Sequence, residues 1–169
     1  MTRATVVLIA LLACVAAPRA ASAQVQVAPE VVHSTVRDYG AGLRVSWSPN
    51  RSTWLYAEAV EFFQDESGTA DPGVRVDAAH RQLNAGLIVS GDERTLQPFA
   101  GAGGGWFSGR LTLERNGVSA TADRSGFLGH LFVGMRMPRP RFTPYGEMKR
   151  ILNDGGQWVT TFGVAVNLR

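Results

Sequence analysis

Cysteine is almost missing from this chain. Among 169 residues there is one, Cys14, and it lies in an apolar run near the start. Everything after residue 23 is thiol-free, which excludes a disulfide-stapled scaffold, thiol catalysis and cysteine metal sites there. Histidine is scarce as well. His33, His80 and His130 fall on separate segments, none in a metal-ligand spacing. There is no G-x-S-x-G elbow to present a serine nucleophile. Gly101-Ala102-Gly103-Gly104-Gly105 is glycine-rich, but no helical pattern follows it, so it does not read as a phosphate-binding loop. Beyond the first run, no apolar stretch approaches the roughly 20 residues of a spanning helix. The 17 basic residues are interspersed with 14 acidic ones rather than massed on one element, which argues against nucleic acid as a partner.

What is present begins with a targeting pattern. Arg3 supplies a positive start, Thr5 to Ala17 is almost continuously apolar, Pro18 ends the run, and Ala21-Ser22-Ala23 is a small-x-small cleavage site. Residues 1–23 are therefore expected to be a cleaved, Sec-type signal peptide, with a single domain over 24–169. A competing reading makes Leu11-Leu12-Ala13-Cys14 a lipoprotein box with Cys14 acylated.

The remaining chain alternates with period 2, the signature of strands with two different faces. In the last segment, Trp158, Phe162, Val164, Val166 and Leu168 share a register, and Val159, Thr161, Gly163 and Ala165 share the other. Eight strands are expected, at about 25–35, 41–48, 53–63, 80–90, 95–107, 125–137, 142–151 and 157–168. Short turn signals at 49–52, 91–94 and 138–141 fall on one side. Longer connections, including 64–79 and 108–124, fall on the other. Within 108–124, Asn116-Gly117 marks a hairpin expected to prolong the fifth and sixth strands. The fold class expected is all-β: an eight-stranded, antiparallel, up-and-down transmembrane β-barrel. Its last strand would close on its first, although Pro29 weakens that first strand.

Both a membrane barrel and a water-soluble one alternate, but they turn opposite faces inward. Two features favour the membrane form. The polar register is rich in glycine, as a narrow lumen requires. Aromatics gather near strand ends, and Trp47, Trp54, Phe62, Trp106 and Trp158 are expected to form interfacial girdles. Charged residues on the polar register would then point inward. Arg44 and Arg136 are expected to meet Glu58 and Glu147, with Lys149 nearby, in a structural network that fixes register rather than an ion path or a catalytic pair.

Pro98-Phe99-Ala100-Gly101-Ala102-Gly103, Pro144-Tyr145-Gly146-Glu147-Met148-Lys149, the leader and the eight alternating segments together resemble the small eight-stranded outer-membrane β-barrel superfamily, with its OmpA-like and OmpX-like barrels. The resemblance spans the chain after the leader. It implies a Gram-negative-type outer membrane, lipid around the barrel, and insertion by the barrel-assembly machinery. The ending Val166-Asn167-Leu168-Arg169 departs from the terminal aromatic of many members. Lipid A deacylase barrels carry a His and a nearby Ser late in the chain, and the final strand here has neither.

The function expected is that of a non-enzymatic envelope-structural or surface-interaction barrel without cofactors, its external loops meeting a partner the sequence does not name. The alternative is a soluble or lipid-anchored periplasmic, lipocalin-like barrel holding a small apolar ligand, with Leu43, Val45, Phe162 and Val164 turned inward. A lipid-modifying barrel enzyme is a second alternative.

Overall fold

A computed structural model describes residues 24–50, 52–64, 74–92, 95–115, 118–153 and 156–168. The leader and its lipoprotein box lie outside these residues, as do Asn116-Gly117 and parts of the 64–79 and 153–156 connections.

Eight strands form one antiparallel closed barrel in sequence order. They are β1 (Gln24–Ser34), β2 (Asp38–Ser48), β3 (Thr53–Gln64), β4 (Val74–Ser90), β5 (Gln97–Arg115), β6 (Val118–Arg136), β7 (Phe142–Ile151) and β8 (Trp158–Leu168). Closure satisfies every internal strand edge, which is the condition for a sheet to sit in lipid. β8 pairs with β1 from Val25↔Leu168 to Ser34↔Val159. The ladder is not continued at Ala28 and Pro29. Proline has no N–H to donate, so a break there has a direct cause.

The two ends of the barrel differ in a way the sequence reading misplaced. Long connections were expected at one end, but β1 and β2 are joined by only three residues, 35–37. β4, β5 and β6 begin or end well outside the expected bounds, and β5 pairs with β6 as far as Arg115↔Val118. Polar, solvated residues such as Thr112 and Thr121 read as loop by composition. They are held as strand because each faces a partner across the hairpin. The hairpin extension of β5 and β6 is as the Asn116-Gly117 signal predicts, and β4 lengthens alongside it.

The faces sort cleanly. Leu43, Leu83, Leu131, Val133, Met148, Phe162 and Val164 are exposed on the outside. Gln26, Arg44, Glu58, Asn84, Glu147, Lys149 and Thr161 are buried inside. Apolar-out and polar-in is the reverse of a water-soluble barrel. Leu43, Phe162 and Val164 therefore cannot line an apolar ligand cavity, and the lipocalin-like arrangement is not the one adopted.

Candidate functional site

The lumen is filled in layers. At the long-strand end lies an apolar cluster of Val32, Val60, Phe62, Phe107, Leu128, Ile151 and Val159. Nearer the short turns lies a second, aromatic cluster of Trp54, Tyr56, Ile88, Phe99 and Phe132, with Tyr145 against it. Glycine makes these rings fit. A Cβ on Gly134 would collide with the Phe99 ring, and one on Gly101 with the Phe132 ring. Neighbouring strands thus trade side chains, a ring on one and none on the next.

Between and beside these clusters runs the charged network, and strand register assembles it. Arg44 on β2 lies directly opposite Glu58 on β3, and Glu58 opposite Asn84 on β4. Glu147 and Lys149 reach in from β7, on the far wall. The Arg44 guanidinium donates to both Glu147 oxygens, Nη1 to Oε2 at 2.7 Å and Nη2 to Oε1 at 2.6 Å. Nη2 also donates to Glu58 Oε1 at 2.8 Å. Its Nε lies 2.9 Å from Glu30 Oε1. Lys149 Nζ donates to Glu58 Oε2 at 2.6 Å, and Asn84 Nδ2 to the same oxygen at 2.8 Å. The Arg44 plane is flanked by the Tyr56 and Tyr145 rings at 5.1 and 5.3 Å. Tyr145 donates its hydroxyl to Glu30, and Tyr56 shares a hydrogen bond with His130.

One planar cation thus joins three carboxylates from β1, β3 and β7. Buried charges are tolerable when paired and hydrogen-bonded in this way. The arrangement has little capacity for chemistry. The carboxylates are occupied by cations and hydrogen-bond donors, and all three side chains are fully enclosed.

Of the residues singled out from sequence, Arg44, Glu58, Glu147 and Lys149 are in contact. Arg136 is not among them. It sits opposite Gln97 and one layer nearer the short turns than the Gly134↔Glu147 pair. It donates Nε to Gln97 Oε1 at 2.6 Å and Nη2 to Ser90 Oγ at 2.8 Å. Glu30, Tyr56, Tyr145 and His130 complete the centre. Glu30 shares the buried register of β1 with Gln26, Ala28 and Val32, so alternation accounts for its direction. What it could not supply was the offset that sets Ala28 beside Arg44 and Glu30 beside Gly42, whose missing side chain gives the carboxylate room.

The aromatic expectation divides. Trp106 and Trp158 are exposed, at 41% and 43%. Trp106 meets Phe127 edge-on and Trp158 lies under Arg150. Trp47 shares the outward face near a short turn. Trp54 and Phe62 belong to the lumen instead, at 3% and 2% exposure. β3 pairs with β4 without a bulge from Thr53 to Gln64, so Trp54, Glu58 and Phe62 keep one parity and point the same way.

A closed eight-stranded antiparallel barrel, apolar outside and ionic within, has the fold of the small outer-membrane β-barrels. No protein-family model matches the chain, and no curated protein matches it in sequence. Solved structures do match in fold. The N-terminal β-barrel domain of Pseudomonas aeruginosa OprF superposes with a TM-score of 0.60 at 14% identity, covering 86% of this chain and 97% of that one. A major outer membrane protein from Thermus thermophilus gives 0.61 at 11% identity, covering 87% and 100%. Ail, the attachment invasion locus protein of Yersinia pestis, gives 0.53 at 13% identity, covering 86% and 95%.

Proposed function

We propose that this chain is an outer-membrane barrel without enzymatic activity that serves envelope structure or surface interaction. The observation that carries this reading is the pairing of an apolar exterior with a lumen packed by two side-chain clusters and the charged network beside them. The exterior suits lipid. The filled lumen suits neither a wide pore nor a substrate cleft. On this reading residues 1–23 direct Sec-type export and are removed, and the barrel-assembly machinery inserts the remainder. The short turns then face the periplasm and the β4–β6 extension faces outward. That extension, with exposed Leu113 and Val118 near its tip, is the surface offered to a partner. A barrel of similar fold is an attachment invasion protein in Yersinia pestis, which makes surface contact a fitting use for this scaffold.

Fractionation of expressing cells tests the location. The protein is expected in the outer-membrane fraction, with gel mobility that changes on heating as the barrel unfolds. Release as a soluble protein by osmotic shock would overturn the proposal. In planar bilayers the purified barrel is expected to show no wide-pore conductance.

A further inference from the structure

Arg136 is anomalous among the lumenal charges. Arg44 and Lys149 each hold carboxylates, but among the described residues Arg136 is bonded only to the neutral Gln97 and Ser90, and it lies 4.9 Å from the Trp54 ring centre. It is nonetheless buried, at 9% exposure. A buried guanidinium without a counter-ion is costly. Trp54 adds a second unmet demand. Its indole Nε1–H is enclosed and has no hydrogen-bond acceptor among the described residues.

These two groups border one cavity. It has a volume of about 30 Å³ and is also lined by Arg44, Ser46, Thr143 and Gln26. The polar lining thus supplies two guanidiniums, an indole N–H, an amide and three hydroxyls, of which that of Tyr145 is already given to Glu30. No carboxylate lines it among the described residues. Glu30, Glu58 and Glu147 would balance Arg44, Lys149 and Arg136 in total charge. They are, however, drawn together around Arg44 and Lys149. Local charge, not the total, decides what a cavity holds, because Coulomb interactions strengthen steeply at short range in a low-dielectric interior. The volume fits a monatomic or water-sized ligand and nothing larger.

We propose that this cavity is a binding site for a small monovalent anion of the chloride class, held by Arg136, the Trp54 indole N–H and the hydroxyls of Ser46 and Thr143. The apolar layer around Phe62, Leu128 and Ile151 shuts the other end of the lumen. The ion therefore enters and leaves from the short-turn end, and the site is a dead end rather than a conduction path. Its effect is to complete the polar layer that closes this mouth, so that barrel stability depends on halide.

The test is thermal unfolding of the folded barrel in detergent, titrated with sodium chloride or bromide against sodium gluconate at constant ionic strength. The expected result is a saturable rise in melting temperature with halide. Arg136→Gln should abolish the saturation or move it to at least about tenfold higher halide. Trp54→Phe keeps an aromatic side chain but removes the N–H together with part of the indole, so it should weaken halide dependence while the barrel still folds. A bromide-soaked crystal should show an anomalous peak beside Arg136 and Trp54. Equal melting in chloride and gluconate would overturn the proposal. So would halide dependence unchanged in both variants, or a cavity that holds water only in the bromide crystal.

Discussion

Arg44 is the residue through which the barrel wall communicates across its own diameter. It sits on β2 and is bonded to carboxylates on β1, β3 and β7. Glu58 and Glu147 lost their hydration on folding and accept hydrogen bonds on both oxygens in its place. Removing one charge strands the others. Glu58→Gln keeps the shape but takes the close carboxylate from Lys149, whose other carboxylate, Glu147, lies 3.6 Å away, and should cost about 3 kcal/mol, read from denaturant unfolding in detergent. Glu61→Gln is the control. Glu61 lies on the same strand and pairs with Arg81 on β4, but both are exposed, so the loss should stay within about 1 kcal/mol. If the two variants unfold alike, the network does not stabilise the barrel. Arg44, Glu58, Glu147 and Lys149 were legible from alternation because all sit on the small, polar register. Arg136 was legible as inward but not as separate. Its layer depends on how far β6 is shifted against β7, and that offset leaves no mark on residue type.

The strands were readable as elements because two-faced alternation survives even where glycine and arginine interrupt it. Their ends were not. The β5–β6 extension is written in serine, threonine, alanine and charged residues, which composition alone assigns to a loop. Cross-strand pairing holds it as sheet, as where Arg110 meets Asp123 with Nε 2.8 Å from Oδ1. The hydrogen bond from Arg110 holds the Asp123 carboxyl below its ordinary range. Its lowered value means the pair's small contribution is present at neutral pH and is lost as pH falls through that lowered value. The extension lies beyond both lumenal clusters, apart from Phe107 at its base. Joining Arg110 to Asp123 directly through Asn116-Gly117 should therefore leave the unfolding midpoint and heat-modifiable mobility unchanged. Loss of the barrel in that variant would show that the extension is part of the folding unit. β3 carries the opposite lesson. Trp54 and Phe62 have the residue type of an interfacial girdle, yet parity with Glu58 decides where they point.

At the scale of the whole molecule, the exterior must distinguish the part that meets lipid from the part that meets water. Leu131 lies midway along the outward apolar face of β6, between Phe127 and Met135. Leu131→Arg should cost about 2–4 kcal/mol in a bilayer or micelle, the penalty for a cation near the midplane. Ala122→Arg, on the same strand but out on the extension, should change stability by no more than about 0.5 kcal/mol. Equal effects would mean that the boundary between barrel and extension does not follow the membrane surface. The closed architecture itself was legible, because an even count of two-faced strands and a glycine-rich polar register admit few other arrangements.

A barrel is also a hoop, and a hoop pulled by a free end opens where that end is fastened. Here that joint is the seam where β1 meets β8, whose ladder is interrupted beside Pro29. It is also where both ends of the barrel domain lie, with Val25 facing Leu168. A pull on the C-terminal end in a single-molecule force experiment should therefore strip β8 from β1 at the lowest force of any strand. Pro29→Val, by restoring the missing donor, should raise that first rupture force and leave the later ones in place.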